Sequence, residues 1–188
     1  MPYPFQNHRL RVAARVLANG GVVAYPTEAV YGLGCDPWDQ AAVGRILAIK
    51  GRDQAKGLIL IAADPIQVLP FVEPLHPESM AEILASWPGP NTWLLPARRT
   101  TPSCLRGRFD TLAVRVTAHP LAAALCRAFG GAIVSTSANR AGKTPARSAF
   151  QVRRALGEAP DYILTGPCGG AARPSTIRDG RTGRVLRA

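Results

Sequence analysis

The sequence predicts a mixed, twisted α/β sheet with helices packed on its faces, built as a single domain over residues 1–188. Helical and strand patterns alternate along the chain, which is typical of α/β proteins. Several connections are too short for the crossovers that parallel neighbours need, so part of the sheet is expected to be antiparallel. With 188 residues, 47% of them hydrophobic, the chain can bury one sizeable core.

Composition excludes several classes of protein. The hydrophobic fraction is too high for a disordered chain. The most hydrophobic stretch, residues 58–63, has the length of a strand and not of a membrane span. The first 19 residues lack the apolar centre of a secretory signal, so a cytoplasmic protein with no membrane contact is expected. The four cysteines show no metal-binding or redox spacing, which predicts buried thiols in a reducing compartment.

The N-terminal half alternates helix and strand. Residues 9–19 form a predicted helix that Gly20 and Gly21 end. A strand over residues 22–25 stops at a proline, which cannot donate to a sheet, and a loop follows over residues 26–38. Asp39 is a typical N-cap for a helix that runs to about residue 50. The other elements predicted here are a strand over 58–62, a helix that starts at the Asp-Pro pair 64–65, and a helix over 77–86.

The C-terminal half is expected to be richer in strands. A rigid Trp-Pro-Gly-Pro turn over residues 87–90 leads into a strand near residues 92–95. A helix over residues 120–129 is closed by two glycines. A strand over residues 132–135 ends in a polar loop. The other predicted elements are a helix over 148–156 and strands over 111–116, 162–164, 175–178 and 183–186.

Positive charge is concentrated in the C-terminal half. Residues 1–94 hold 7 Lys and Arg against 8 Asp and Glu, whereas residues 95–188 hold 16 against 4. This asymmetry favours a polyanionic partner, either nucleic acid or the phosphates of a nucleotide. A solvated, arginine-rich surface would give the same asymmetry. Arginine outnumbers lysine 20 to 3, and Lys50 and Lys56 lie within seven residues, which indicates a place where a compact ammonium is needed.

Four polar segments follow or precede predicted strands, where open α/β sheets bind ligands. They offer cations, hydroxyls and an amide, groups suited to phosphate recognition. Each also has an ordinary structural explanation, as a capped turn, a helix C-terminus or a hydroxyl-capped loop. The chain has no P-loop or dinucleotide-binding glycine motif, and its three histidines lie in no acid–base arrangement. The segments are residues 26–34, 50–56, 135–139 and 174–176.

Taken in order, these segments resemble the YrdC-like family. The resemblance covers residues 9–187 and rests on Tyr-Pro-Thr-Glu-Ala-Val-Tyr-Gly-Leu-Gly, Lys-Gly-Arg, Trp-Pro-Gly-Pro, Leu-Ala-Val-Arg-Val, Ser-Thr-Ser-Ala-Asn and Pro-Ser-Thr-Ile-Arg-Asp. Asn91 departs from the small or β-branched residue that the family more often has there. The resemblance implies a twisted, open mixed sheet with a large, concave, positively charged cavity.

The resemblance also implies an activity. Members of this kind form threonylcarbamoyl-AMP and pyrophosphate from L-threonine, bicarbonate and ATP, with Mg²⁺ accompanying the ATP. The threonylcarbamoyl group then passes to the adenosine beside the anticodon of certain tRNAs, with other proteins performing the transfer. We therefore expect tRNA and those transfer proteins as further partners.

Site residues follow from the same resemblance. Lys50 and Arg52 are expected to hold the triphosphate and stabilise the departing pyrophosphate. Arg115 is expected to bind the threonine carboxylate with both arms of its guanidinium, which Lys cannot do. No metal ligand is expected among the side chains. The other nucleotide-binding candidates are Lys56, Thr111, Ser135, Ser137 and Asn139. The other threonine-binding candidates are Thr27, Tyr31 and Ser175.

Two alternatives to this enzyme remain open at the level of sequence. In the first, the chain is an RNA-binding protein whose basic half follows a phosphate backbone without ATP turnover, and its affinity would fall steeply with salt. In the second, the chain makes a carbamoyl-adenylate from carbamoyl phosphate, and product would form without threonine.

Overall fold

A computed structural model describes residues 4–187, and within them nine strands form one sheet. The helices are α1 (Pro4–Ala18), α2 (Gln40–Lys50), α3 (Pro77–Ala85), α4 (Ser103–Arg106), α5 (Pro120–Phe129) and α6 (Ala149–Leu156). The strands are β1 (Val23–Pro26), β2 (Tyr31–Gly34), β3 (Ile59–Ala62), β4 (Asn91–Pro96), β5 (Thr111–Val116), β6 (Ile133–Ser137), β7 (Tyr162–Ile163), β8 (Thr176–Asp179) and β9 (Val185–Arg187).

The sheet is mixed, as the short connections predict. Its strand order is β7-β1-β2-β6-β3-β5-β4-β8-β9. The pairs β1–β7, β3–β5 and β4–β8 are parallel, and the other neighbours are antiparallel. The predicted fold class is therefore confirmed.

The two faces of the sheet carry separate hydrophobic clusters. Successive residues of a strand point to opposite faces, and Leu60 and Ile61 of β3 accordingly belong to different clusters. The larger cluster packs α2, α3, α4 and α6 against one face. The smaller cluster joins α1 and α5 to the other face through residues such as Leu17 and Leu125.

The second face is covered only in part. Along β6, Ile133 packs in the cluster beneath α1 and α5, whereas Ser135 and Ser137, on the same face, lie beyond it and line a cavity. Ala113 and Arg115 of β5 likewise line open space. The part of this face that α1 and α5 leave uncovered is the floor of the candidate site.

Most of the predicted elements are confirmed. Strand β5 and helix α5 have the predicted bounds. The side chain of Asp39 accepts hydrogen bonds from Ala41 N and Ala42 N and caps α2 as expected. Ser148 caps α6 in the same way, by accepting from Gln151 N.

Three predictions of local structure are wrong, and one helix was missed. The expected loop over residues 26–38 contains β2, whose two glycines hide its strand character. Strand β6 continues to Ser137, two residues past its predicted end, because its partners β2 and β3 extend alongside it. The helix expected from residue 64 is a single 3₁₀ turn, Pro65–Gln67. The short helix α4 was not predicted.

Two further expectations concern cysteines and membranes. Cys35, Cys104 and Cys126 are buried thiols, and Cys168 is half-buried, with no disulfide among the described residues. Within residues 4–187, no helix has the length and hydropathy needed to cross a membrane.

The glycines of β2 make room for an aromatic ring. A Cβ placed on Gly34 would lie 2.6 Å from the carbonyl oxygen of Val134 in β6 and 2.8 Å from the ring of Tyr25. Gly34→Ala should therefore lower the free energy of unfolding by about 2 kcal/mol, because backbone must move to relieve the overlap.

Urea unfolding measures this loss, and Gly44→Ala is the matched control. Gly44 lies in α2, and a methyl group added there would meet nothing within 4 Å, so alanine should stabilise the helix by up to about 1 kcal/mol. Equal effects of the two substitutions would contradict the packing of β2 against Tyr25.

Candidate active site

A cavity of about 210 Å³ lies on the uncovered part of the sheet. Seven of the eleven site residues expected from the sequence line this cavity. The first and last of them are more than 140 residues apart in the chain. Strands β5 and β6, the β1–β2 turn and the start of β8 each supply part of the wall. The seven are Thr27, Tyr31, Arg52, Arg115, Ser135, Ser137 and Ser175.

Arginines dominate the charged groups on the cavity wall. Among the described residues that line it, Arg52, Arg115, Arg173 and Arg187 stand against a single carboxylate, Glu28. Burial first, and then Arg115 and Arg52, lower the pKa of Arg187, so these three cations lie close enough to repel one another. A bound anion would relieve that repulsion.

Arg115 is held by an ion pair with Glu28. Arg115 Nη2 lies 3.2 Å from Glu28 Oε2, and both side chains are largely buried. Glu28 Oε1 accepts hydrogen bonds from Thr117 Oγ1 at 2.7 Å and from Ala118 N at 3.1 Å. Burial opposes ionisation of Glu28, but Arg115 and these hydrogen bonds together hold the pKa of its carboxyl below the ordinary value. Glu28 is therefore a carboxylate at neutral pH.

The same ion pair leaves one donor of the guanidinium unpaired. Arg115 Nε is buried and has no hydrogen-bond partner within residues 4–187. Leaving a buried donor unpaired costs about 1–3 kcal/mol.

Three hydroxyl-bearing side chains frame the cavity through contacts with the main chain or with one another. Thr27 Oγ1 donates to Val30 O at 2.7 Å, which closes the β1–β2 turn. Tyr31 Oη donates to Gly166 O at 2.6 Å and accepts from Gly166 N at 3.1 Å. Ser175 Oγ lies 2.8 Å from Thr92 Oγ1. These contacts fix each hydroxyl in place, and Tyr31 contributes its ring to the wall.

A second hollow of about 330 Å³ adjoins the first and shares Arg52, Leu58, Ile59 and Arg187 with it. Thr111 and Lys56, both expected at the nucleotide, line this second hollow and not the first. Its remaining wall is largely apolar, and exposed cations stand at its edge. The apolar wall includes Leu94, Leu105, Phe109, Ala113, Ile177 and Leu186.

Lys50 and Asn139 lie outside both hollows. The ammonium of Lys50 is buried, with 5% of the residue exposed. It donates to the main-chain oxygens of Ser137 and Asn139 and to Asn139 Oδ1. Burial, and next the nearby charge of Arg52, lower the pKa of Lys50 to about 8. The contact of Lys50 with a triphosphate, which the resemblance implies, stays a prediction; in this structure its ammonium faces main-chain oxygens at the end of β6.

Several residues of the site were not anticipated from the sequence. Glu28 was quoted only as part of a motif, and nothing local indicates that it pairs with a residue 87 positions later. Arg187 lies in the last strand, where its Nη2 donates to Ser175 O at 2.9 Å. Arg173 lines the cavity from the loop before β8. A cation directly before the Pro-Ser-Thr motif was the one available signal for Arg173.

The fold and site define a class of protein: an open mixed-sheet α/β protein whose uncovered sheet face carries cations and hydroxyls. A family model shows which family this is. The Sua5/YciO/YrdC model, described as telomere recombination, matches residues 15–188. The chain therefore belongs to the Sua5/YciO/YrdC family, as its motifs predict.

Individual relatives resemble the chain over nearly its whole length. A threonylcarbamoyl-AMP synthase of Nitrosococcus oceani is 60% identical over 181 residues, which are 96% of this chain and 98% of the relative. The solved structure of P. abyssi Sua5 complexed with L-threonine is 37% identical with a TM-score of 0.84, and it covers 90% of this chain. The match spans about half of that Sua5 chain (50%). E. coli YciO also has a TM-score of 0.84, with 26% identity, and covers 98% of this chain and 90% of its own.

The Glu28–Arg115 ion pair should make stability depend on acid pH. Because the folded-state pKa of Glu28 lies below its unfolded value of about 4.5, the pair stabilises the protein above that pH and loses its effect as pH falls through the folded-state pKa. Glu28→Gln should lower the unfolding free energy by about 2 kcal/mol at pH 7. The difference from wild type should shrink near pH 3.

Urea unfolding at the two pH values measures this dependence. Glu73→Gln is the control, because Glu73 forms an exposed pair with Arg98 at 3.4 Å and exposed pairs contribute little. A Glu28→Gln deficit as large at pH 3 as at pH 7 would show that the carboxylate charge does not stabilise the fold.

Proposed function

We propose that this chain forms threonylcarbamoyl-AMP and pyrophosphate from L-threonine, bicarbonate and ATP. The observation that carries the proposal is 60% identity, over 96% of the chain, to a protein named threonylcarbamoyl-AMP synthase. The relative whose structure contains L-threonine supports the same substrate. The cavity supports it independently, because it joins a place for a carboxylate to a place for phosphates.

The threonine subsite is proposed around Arg115. The ion pair with Glu28 holds the guanidinium of Arg115 in place on the cavity wall. A carboxylate that binds there gains a charge-assisted, two-point contact. Thr27, Tyr31 and Ser175 bound the remaining space, so they set the size and polarity of the side chain that fits.

The nucleotide subsite is proposed to span both hollows. Arg52 and Arg187 line the two hollows together, so phosphates between them would meet two cations. The adenosine would occupy the apolar second hollow, with Thr111 and Lys56 at its wall. Ser135 and Ser137 offer hydroxyls on the side of the threonine subsite.

This arrangement suits attack by a carbamate on ATP. The threonine amine adds to the bicarbonate carbon, water leaves, and a carbamate oxygen then bonds to the α-phosphorus. The bond from that phosphorus to the bridging oxygen breaks, and pyrophosphate leaves with its electron pair. Three anionic groups must meet in one place, and fixed guanidinium groups in a partly enclosed site offset their repulsion. No side chain needs to act as a covalent nucleophile.

Mg²⁺ is proposed to enter as part of the ATP substrate. The described residues contain no group of three or more His, Cys, Asp or Glu side chains that could hold a metal ion. The carboxylate that lines the cavity, Glu28, is already paired with Arg115. The chain's own residues therefore fit the role of binding the phosphates and not the ion, while Mg²⁺ would neutralise part of the triphosphate charge.

The proposed product is an activated donor, so it implies further partners. We propose that its threonylcarbamoyl group passes to tRNA with the help of other proteins, and that this takes place in the cytoplasm. The comparisons do not favour the alternative of an RNA-binding protein without ATP turnover, because the close relatives are named as synthases. The same names favour a carbamate formed from threonine and bicarbonate, and not carbamoyl phosphate, as the group that is joined to AMP.

Pyrophosphate release from ATP should require both L-threonine and bicarbonate. Either omission removes the attacking carbamate, so release should fall to background. A coupled pyrophosphate assay measures the rate, and mass analysis with labelled bicarbonate identifies the product. Release that ignores threonine would contradict the substrate assignment.

Arg115→Lys should raise the KM for threonine at least about 10-fold, since a single ammonium replaces a two-point guanidinium contact. The kcat should change much less, because the carboxylate lies away from the reacting phosphorus. Steady-state kinetics with varied threonine measures both quantities. Arg127→Lys, at an exposed position in the last turn of α5, is the matched control. An unchanged KM in Arg115→Lys would remove Arg115 from the carboxylate subsite.

A further inference from the structure

The proposed function gives no role to the Trp-Pro-Gly-Pro turn or to the threonine that follows it in β4. Thr92, the second residue of that strand, carries a hydroxyl although 0% of its surface is exposed. Leu94, two residues along and therefore on the same face of the sheet, lines the second hollow. Thr92 thus belongs to the face that carries the candidate site, and its buried hydroxyl needs a partner there.

Ser175 is the hydrogen-bond partner of Thr92 among the described residues. The two hydroxyl oxygens lie 2.8 Å apart, which is the usual distance of an O–H···O hydrogen bond. Ser175 lines the cavity, whereas Thr92 does not. The pair therefore has one member that is enclosed by protein and one member that meets the ligand space.

The burial of Thr92 decides which hydroxyl donates. Each hydroxyl has one hydrogen to donate and two lone pairs that accept. If Ser175 donated, the hydrogen of Thr92 would be buried without an acceptor, and a buried donor without a partner is costly. If Thr92 donates, its hydrogen is satisfied, and the hydrogen of Ser175 remains free for the cavity. Thr92 is therefore the donor of this bond.

Main-chain contacts on both sides hold Ser175 in place. Thr176 N donates to Pro90 O at 3.0 Å, where β8 begins. Arg187 Nη2 donates to Ser175 O at 2.9 Å. Because the main chain is fixed, rotation of the hydroxyl of Ser175 is governed by what its oxygen contacts.

The Trp-Pro-Gly-Pro turn holds Thr92 in a similar way. Trp87 Nε1 donates to Asn91 O at 2.8 Å. Gly89 N donates to Val116 O, at the end of β5, at 2.9 Å. These contacts fix the start of β4 beside β5, and they fix Thr92 with it.

We infer that Thr92 is a positioning residue for the amino acid substrate: by donating to Ser175 Oγ, it leaves the hydrogen of Ser175 directed into the cavity, toward an oxygen of that substrate. A carboxylate, carbamate or hydroxyl oxygen can accept this hydrogen. The inference rests on the proposed function for the identity of the ligand, but the direction of the hydrogen bond is a property of the free protein.

The test compares Thr92→Val, Ser175→Ala and the double variant. Thr92→Val keeps the shape of the side chain and removes the hydroxyl, whereas Thr92→Ser retains the hydroxyl. Thr101→Val is the matched control, because Thr101 is also buried and donates its hydroxyl to Phe71 O at 2.6 Å, and neither residue lines either hollow. Calorimetric titration with L-threonine gives the Kd of each variant, and steady-state kinetics gives the KM for threonine and kcat.

Thr92→Val is expected to raise the Kd for L-threonine at least about fivefold, because the hydroxyl of Ser175 can then rotate away from the substrate. Ser175→Ala should raise it at least about tenfold, since the donor itself is lost. The double variant should exceed Ser175→Ala by no more than about twofold, because Thr92 acts through Ser175. The KM should follow the Kd while kcat stays within about threefold of wild type. Thr92→Ser and Thr101→Val should bind threonine within about twofold of wild type.

Three results from the variants would contradict the inference. A Kd that rises less than about fivefold in Thr92→Val would show that Ser175 needs no partner to donate. Losses that multiply in the double variant would mean that Thr92 acts independently of Ser175. A loss in Thr101→Val equal to that in Thr92→Val would show that removal of any buried hydroxyl has this effect.

Proton NMR of the wild-type protein tests the direction of the hydrogen bond without any substitution, and it decides alone if Thr92→Val does not fold. The hydrogen of a buried hydroxyl is shielded from exchange with water, so its resonance should be observed. Its through-bond correlation is expected to be with the Cβ hydrogen of Thr92. A correlation with the Cβ hydrogens of Ser175, or no slowly exchanging hydroxyl hydrogen on Thr92, overturns the inference.

Failure of the proposed function is recognised separately. If wild-type protein neither binds L-threonine nor releases pyrophosphate in its presence, the synthase activity is refuted. The NMR measurement would still report whether Thr92 donates to Ser175, since it needs no ligand and no turnover.

Discussion

The incomplete covering of one sheet face is the constraint on which the rest of this structure depends. A sheet with two apolar faces needs helices on both, and here α1 and α5 cover only part of the second face. The uncovered part of that face is exposed to water or ligand, so each strand changes from apolar to polar side chains along its length. In β6 an isoleucine beneath the helices is followed, on the same face, by two serines. The core and the site are thus consecutive stretches of the same strands.

The polar part of that face is kept in order because its cations are paired within the walls of the two hollows. Glu28 forms an ion pair with Arg115 at the cavity wall, and Thr117 and Ala118 donate hydrogen bonds to Glu28. Arg52 donates twice to the main-chain oxygen of Gly57. These contacts fix long, flexible side chains before any substrate arrives, which reduces the entropy that binding would otherwise cost.

The sequence was most informative where local chemistry determines the structure. Helix α5 begins with a proline and ends at Gly130, so both ends could be predicted. Strand β2 could not be predicted, because its Gly-rich sequence has low strand propensity. The strand is stabilised by the Tyr25 ring, which fills the space above Gly32 and Gly34. Such packing depends on a neighbouring strand and leaves no local pattern.

The same distinction holds in the site. Seven of the residues singled out in the sequence lie together on one cavity wall, because cations and hydroxyls that follow strands are informative on their own. The direction of the Lys50 side chain was not predictable, since it is decided by oxygens 87 and 89 positions later in the chain. The partner of Arg115 was missed for the same reason. Sequence patterns identified the chemical groups, and long-range contacts determine which of them face the ligand.

The alternation along β5 and β6 has a consequence for how this protein can diverge from its relatives. Ser135 and Ser137 face the hollow because they are two residues apart, and Ala113 and Arg115 share that interval. One inserted or deleted residue in either strand would turn these side chains into the opposite core and bring apolar ones out. Changes of chain length are therefore confined to the loops, and the strands can vary only by exchanging one side chain for another at a fixed place.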